Sequence, residues 1–273
     1  MSDRILQRIL SRELLVRTLS GLLLAPVFLG AYYLGGAALL VVVLVLAVGV
    51  CWEYFRLARL AGFAPVPAPA YLASAALVLA AFFQFEAAWP LGILLLLTTP
   101  LWMDHTRPPE RGAFASWAIS IGGFLYAGGL LHHFILLRQM ENGFGLGLIA
   151  ILGTWAADSG AYLVGKNFGR RPFAVHISPK KTWEGAIGGV LVGFLAILGL
   201  GQVFQLSIAH SAALGLLVPL VSIAGDLTES LMKRSANVKD ASHLIPGHGG
   251  ILDRIDSLMF AVVAAYYYAF YLL

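Results

Sequence analysis

Residues 18–51 read TLSGLLLAPVFLGAYYLGGAALLVVVLVLAVGVC, a run from Thr18 to Cys51 without one charge. As a single α-helix it would be about 51 Å long at ~1.5 Å per residue. The hydrocarbon core of a bilayer is only about 30 Å thick. The run therefore divides into two membrane spans. Gly35-Gly36 is where a tight turn fits, because glycine adopts backbone angles closed to other residues.

The same character continues through the 273 residues, which are 59% hydrophobic and 12% charged. Soluble domains carry roughly 25% charged residues. The apolar runs do not alternate in the manner of barrel strands. The expected fold is all-α: a polytopic membrane protein of about nine transmembrane helices with a polar cavity facing the cytoplasm. The later spans are read at 71–85, 89–103, 114–137, 144–164, 186–206, 207–224 and 258–273. Residues 52–69 and 104–111 read as charged, proline-containing loops. Residues 1–17 carry Arg4, Arg8 and Arg12 at helical spacing. They either lie on an anionic membrane surface or extend the first span into water, rather than forming a cleaved signal peptide.

Charge placement fixes the orientation. With a cytoplasmic N-terminus and nine alternating spans, all of the 18 basic residues except Arg138 fall on the inside, as the positive-inside rule requires. The C-terminus then lies on the outer side. Loops 165–184 and 225–256 share the cytoplasmic face. The chain divides into N-terminal membrane helices (1–145) and a C-terminal catalytic membrane region (146–273). The single Cys51 excludes an internal disulfide and any multi-cysteine metal site. No nucleic-acid partner is expected.

The polar island Ser230–Asp256 holds most of the chemistry. Asp226 and Glu229 are i, i+3 and share a helix face, as do Asp253 and Asp256. Paired carboxylates at two helix ends suit Mg²⁺, which takes one or two carboxylates with waters and phosphates. Helix capping and snorkelling are the alternative reading. Between the pairs, Pro246-Gly-His-Gly-Gly250 offers backbone N–H groups to a phosphate or simply turns the chain. Lys233, Arg234, Lys239 and Arg254 are phosphate-compatible cations beside it. Upstream, Ser178-Pro-Lys-Lys-Thr-Trp-Glu184 reads as a turn into a helix start, with Lys180, Lys181 and Arg170 suited to an anionic headgroup. Asp158 lies inside a span, where a carboxylate costs roughly 2.5–3.5 kcal/mol and marks either a functional site or an interhelical hydrogen bond. Gly185, Gly189 and Gly193 form a small-residue seam for close helix packing.

These motifs resemble the phosphatidate cytidylyltransferase (CDP-diacylglycerol synthase) family. The likeness rests on Ser230, Lys233-Arg234, Lys239-Asp240, Pro246, His248-Gly249-Gly250, Asp253-Arg254 and Asp256. Trp155, Asp158, Ala161-Tyr162, Phe168-Gly169-Arg170 and the segment from Ser178 to Gly185 extend it upstream. The resemblance implies that CTP and membrane phosphatidate give CDP-diacylglycerol and pyrophosphate with Mg²⁺, alone or with a second cation. It also implies a homodimer in the cell inner membrane. On it, Asp226, Asp253, Lys239 and His248 are expected to be catalytic. Asp226, Asp253, Asp256, Glu229 and Asp158 would hold metal. Ser178, Lys180, Lys181, Arg170, Lys233, Arg234, Gly249, Gly250 and Arg254 would bind substrate. A CTP-dependent polyprenol kinase, which releases CDP, is the alternative enzyme. A transporter is the non-enzyme alternative, disfavoured by the absence of an inverted repeat.

Overall fold

The computed structural model describes residues 23–85, 88–98 and 112–273. The amphipathic reading of 1–17 and the loop at 104–111 lie outside the described residues. Among those described the fold is helical throughout, with two isolated bridges, Pro172 to Thr182 and Ile245 to Gly249. The helices are α1 (Leu23–Leu34), α2 (Gly36–Leu60), α3 (Pro67–Phe83), α4 (Ala88–Leu97), α5 (Ala113–Tyr126), α6 (Gly128–Leu131), α7 (His133–Gln139), α8 (Gly143–Phe168), α9 (Trp183–Val203), α10 (Ile208–Ser235) and α11 (Leu252–Leu272). Among the described residues, six stretches are long and apolar enough to cross a membrane: α2, the run 113–139 formed by α5 to α7, and α8 to α11.

The uncharged run breaks at Gly35, where φ is 64° and ψ −154°. Arg138 secures the break. Its Nε donates to the Tyr32 carbonyl at 3.0 Å and its Nη2 to the Tyr33 carbonyl at 3.2 Å. These carbonyls end α1 and have no partner further along the helix. A Cβ on Gly35 would lie 3.3 Å from the same guanidinium. The one basic residue assigned to the outside thus has a structural task there.

Several expected boundaries move: α10 continues to Ser235, past the end expected at 224, and α11 begins at Leu252, ahead of the start expected at 258. Residues 52–60 are not loop: α2 runs on to Leu60, since no glycine or proline interrupts it before Gly62. This carries Glu53 and Arg56 into the bundle. The span expected at 114–137 is broken at Ala127 and His132 into α5, α6 and α7.

The helices α8 to α11 pack together and carry the polar loops. The seam Gly185, Gly189, Gly193 faces inward: a Cβ on Gly189 would lie 2.8 Å from the Ala157 carbonyl of α8. Without side chains there, α8 and α9 approach backbone to backbone. Thr182 caps α9, accepting from the Gly185 N–H at 3.1 Å. Glu184 Oε2 accepts from the N–H groups of Arg170 and Arg171 at 3.0 and 3.1 Å, folding the preceding loop back on the helix start. Arg234 on α10 reaches this loop through the Ile177 carbonyl at 3.2 Å. Arg56 on α2 reaches the 236–251 loop through the Ala241 carbonyl. One end of the bundle therefore gathers the C-terminal ends of α2, α8 and α10 with the N-terminal ends of α9 and α11.

Candidate active site

A cavity of about 680 Å³ opens at that end. Asp158, Ala161 and Tyr162 of α8 line it, with Lys180 and Lys181 of the following loop. Gly185 and Gly189 of α9, Asp226 of α10, and Asp253 and Asp256 of α11 complete its walls. Asp158, the loop that follows α8, and carboxylates of α10 and α11 thus meet in one space.

The helical spacing of α10 decides what points inward. Asp226, Glu229 and Lys233 follow at i, i+3 and i+7, so one face carries acid, acid and cation. One oxygen each from Asp226, Glu229 and Asp256 lies within 4.8 Å of the others. Three carboxylates this close repel unless cations lie between or beside them. Lys233 supplies part of that charge: its Nζ lies 2.5 Å from Glu229 Oε2 and 2.7 Å from Asp253 Oδ1. Lys181 forms an ion pair with Asp226. Glu229 Oε1 remains buried without a hydrogen-bond partner, a donor oxygen on the acidic cluster that the protein itself leaves unused.

Asp253 lines the same cavity as Asp226 and Asp256. Its Oδ2 accepts from the N–H groups of Ala241 and Gly250, both at 2.8 Å, while Oδ1 holds Lys233. It ties the 241–250 loop to α10.

In the Gly-rich turn, His248 and Gly249 N–H groups both donate to the Ile245 carbonyl, at 2.9 and 3.1 Å. The Gly250 N–H is held by Asp253, and those of Ile251 and Leu252 by Glu53.

The remaining expected residues divide by position. Lys180 and Lys181 line the cavity. Arg234 holds the Ile177 and Val238 carbonyls. Ser178 shapes its loop, donating its N–H to the Ala174 carbonyl at 2.7 Å and accepting from the Lys181 N–H at 3.0 Å. Arg170, Lys239, His248 and Arg254 are not among the residues lining the cavity.

Comparison with known proteins agrees with this arrangement. Residues 15–272 match the cytidylyltransferase family. A phosphatidate cytidylyltransferase of Synechocystis sp. is 36% identical over 98% of this chain and 97% of its own length. One from Pseudomonas aeruginosa is 38% identical over 90% of this chain and 93% of its own. Phosphatidate cytidylyltransferase 4, chloroplastic, of Arabidopsis thaliana is 38% identical over 78% of this chain and 62% of its own. The chain belongs to the phosphatidate cytidylyltransferase family.

For this cytidylyltransferase, sequence reasoning missed Glu53 and Arg56. Both were assigned to a loop. The signal was present: Val43, Ala47, Val50, Glu53 and Leu57 continue one helical stripe, and all are buried. An acid on an apolar stripe marks a group with partners waiting in the fold.

Proposed function

We propose that this chain transfers the CMP moiety of CTP to phosphatidate, releasing pyrophosphate and forming CDP-diacylglycerol. The observation that carries the site assignment is the meeting of Asp226, Glu229 and Asp256 within 4.8 Å, with Asp226 and Asp256 on the wall of a cavity that also presents Asp253, Lys180 and Lys181. A non-bridging oxygen of the lipid phosphate attacks the α-phosphorus of CTP. The bond from that phosphorus to the oxygen bridging to the β-phosphate breaks, and its electron pair leaves with pyrophosphate. The nucleophile is already an anion, so the chain need not remove a proton. Its work is to bring two polyanions together and align them.

Lys181 and Lys180 meet phosphate oxygens at the cavity mouth. Lys233 holds Glu229 and Asp253 in place through an ion pair with each. The apolar faces of α8 and α9 suit the acyl chains of the lipid. The donor set of three hard carboxylate oxygens, one without a partner, fits Mg²⁺. Asp226, Glu229 and Asp256 would hold the ion, with Asp158 on the same wall available to a second cation. When bound, it supplies charge neutralisation for the triphosphate and the leaving pyrophosphate.

The reading includes nine spans, with the short α1, α3 and α4 joining the six long stretches, and a cytoplasmic active site in region 146–273. Two findings support the orientation. Arg56 and the cations of loops 165–184 and 225–256 gather at one end, and Arg138 caps the α1–α2 turn. The family resemblance adds a homodimer in the inner membrane, which cross-linking in membranes tests.

Purified protein given labelled CTP, phosphatidate and Mg²⁺ is expected to yield chloroform-soluble CDP-lipid and pyrophosphate. Chelation of the metal is expected to stop it, and Asp256→Asn to reduce it strongly. Release of CDP in place of pyrophosphate would indicate the lipid-alcohol kinase. Full activity of Asp256→Asn would refute the site assignment.

A further inference from the structure

Glu53 is fully buried near the end of α2, far in sequence from the clustered carboxylates. Its Oε1 accepts from the Ser242 hydroxyl at 2.5 Å and from the Ile251 N–H at 2.9 Å. Its Oε2 accepts from the Leu252 N–H at 2.6 Å. Ile251 and Leu252 open α11, where N–H groups have no partner within the helix and the helix dipole favours a negative charge. One turn further along α2, Arg56 holds the Ala241 carbonyl. Glu53 and Arg56 of α2 therefore grip both ends of the segment 241–252.

The fit at Gly250 is close. A Cβ there would lie 2.3 Å from Glu53 Oε1 and 2.6 Å from its carboxyl carbon. The glycine lets the Glu53 carboxylate reach the start of α11 past the turn. On the opposite side of the same segment, Asp253 holds the Gly250 N–H and Lys233. The segment is clamped between a carboxylate from the N-terminal helices and one from α11. Asp256, one of the clustered carboxylates, follows four residues after Leu252 on α11.

We infer that Glu53 is a positioning residue for the nucleotidyl transfer: it anchors the first turn of α11 and thereby places Asp256 against Asp226 and Glu229. The inference rests on the proposed active site, since it concerns where that site's α11 carboxylate stands. Glu53 touches no substrate. Its effect passes through the rigid start of one helix, which explains a buried, charged group in helices otherwise devoted to spanning the membrane.

The test uses the full-length protein in detergent or nanodiscs, with Glu53→Gln as the near-isosteric variant. An amide at this position presents N–H groups where two backbone N–H groups and a hydroxyl need acceptors. Hydrogen exchange at residues 250–252 is expected to quicken about ten-fold or more, with α8 and α9 unchanged. kcat is expected to fall about ten-fold or more, with half-saturating Mg²⁺ raised and the melting temperature little altered. Gly250→Ala is expected to lose activity by the clash. Adding Glu53→Asp, which withdraws the carboxylate by one methylene, is expected to recover part of it.

A Glu53→Gln protein with wild-type kcat and Mg²⁺ dependence overturns the inference, even if its melting temperature drops. So does failure of Glu53→Asp to recover any activity of Gly250→Ala. Wild-type protein that makes no CDP-lipid would sink the proposed activity instead. The exchange measurement would still decide whether Glu53 holds α11.

Discussion

Lys233→Met removes the cation that two site carboxylates share while keeping an unbranched side chain of similar length. The Lys233 side chain is 12% exposed, and its partners Glu229 and Asp253 are 1% and 3% exposed. At 2.5–2.7 Å each attraction is worth about 6 kcal/mol with an effective dielectric constant near 20. Most of that is offset by the cost of taking three charges out of water. What remains visible on removing one partner of a buried pair is about 3–5 kcal/mol, because the others stay buried and uncompensated. Expressed at the site, this corresponds to a loss of about 10²- to 10⁴-fold in kcat/KM. The assay is initial-rate formation of labelled CDP-lipid over a range of CTP and Mg²⁺ concentrations, with thermal unfolding measured in the same detergent. Extra Mg²⁺ is expected to restore part of the rate, since a second cation eases the same repulsion. A variant within about five-fold of wild type, with unchanged stability, would refute the reasoning that Lys233 balances these carboxylates.

Other outcomes follow from the same geometry. Arg138→Ala leaves the Tyr32 and Tyr33 carbonyls without their guanidinium and is expected to cost about 1–3 kcal/mol, read as a lower melting temperature with kcat/KM nearly unchanged. Lys181→Met breaks a partly exposed ion pair with Asp226, so its stability cost is expected to stay below about 1 kcal/mol. Its rate of CDP-lipid formation is expected to fall steeply, because Lys181 lines the cavity. Gly189→Val forces side-chain atoms against the Ala157 carbonyl and Ala161 of α8. A loss of about 1–3 kcal/mol is expected by thermal unfolding, with poorer use of long-chain phosphatidate, because the same residue lines the cavity.

Much of this architecture was legible from spacing. The uncharged run from Thr18 to Cys51 required a break, and glycine at Gly35 supplied the positive φ. Thr182 capped the helix that the turn at Ser178 announced. The i, i+3 spacing put Asp226 and Glu229 on one face of α10 because helical period is a local property, while the approach of Asp256 from α11 is tertiary. The hold of Asp253 on the 241–250 loop was not legible, because it is a tertiary contact. The amides of the Gly-rich turn look available in sequence, yet their partners Glu53 and Asp253 arrive from α2 and α11. Glu53 escaped notice because a charge after a long apolar run ordinarily marks the membrane surface. Here the helix continues and buries it.

The clamp on α11 has a consequence for how the protein is made. Glu53 is separated from the amides that it holds by 198 and 199 residues. At ribosomal speeds of ~5–20 residues per second, their arrival follows that of Glu53 by about 10–40 s. Throughout that interval a charged side chain waits at the end of α2 with its acceptor oxygens unmatched. The later helix α11 satisfies it, and in the same act delivers Asp256 to the acidic cluster. Arrival of α11 and assembly of the site are thus one event, and a nascent chain that stops short of α11 carries its own mark of being unfinished.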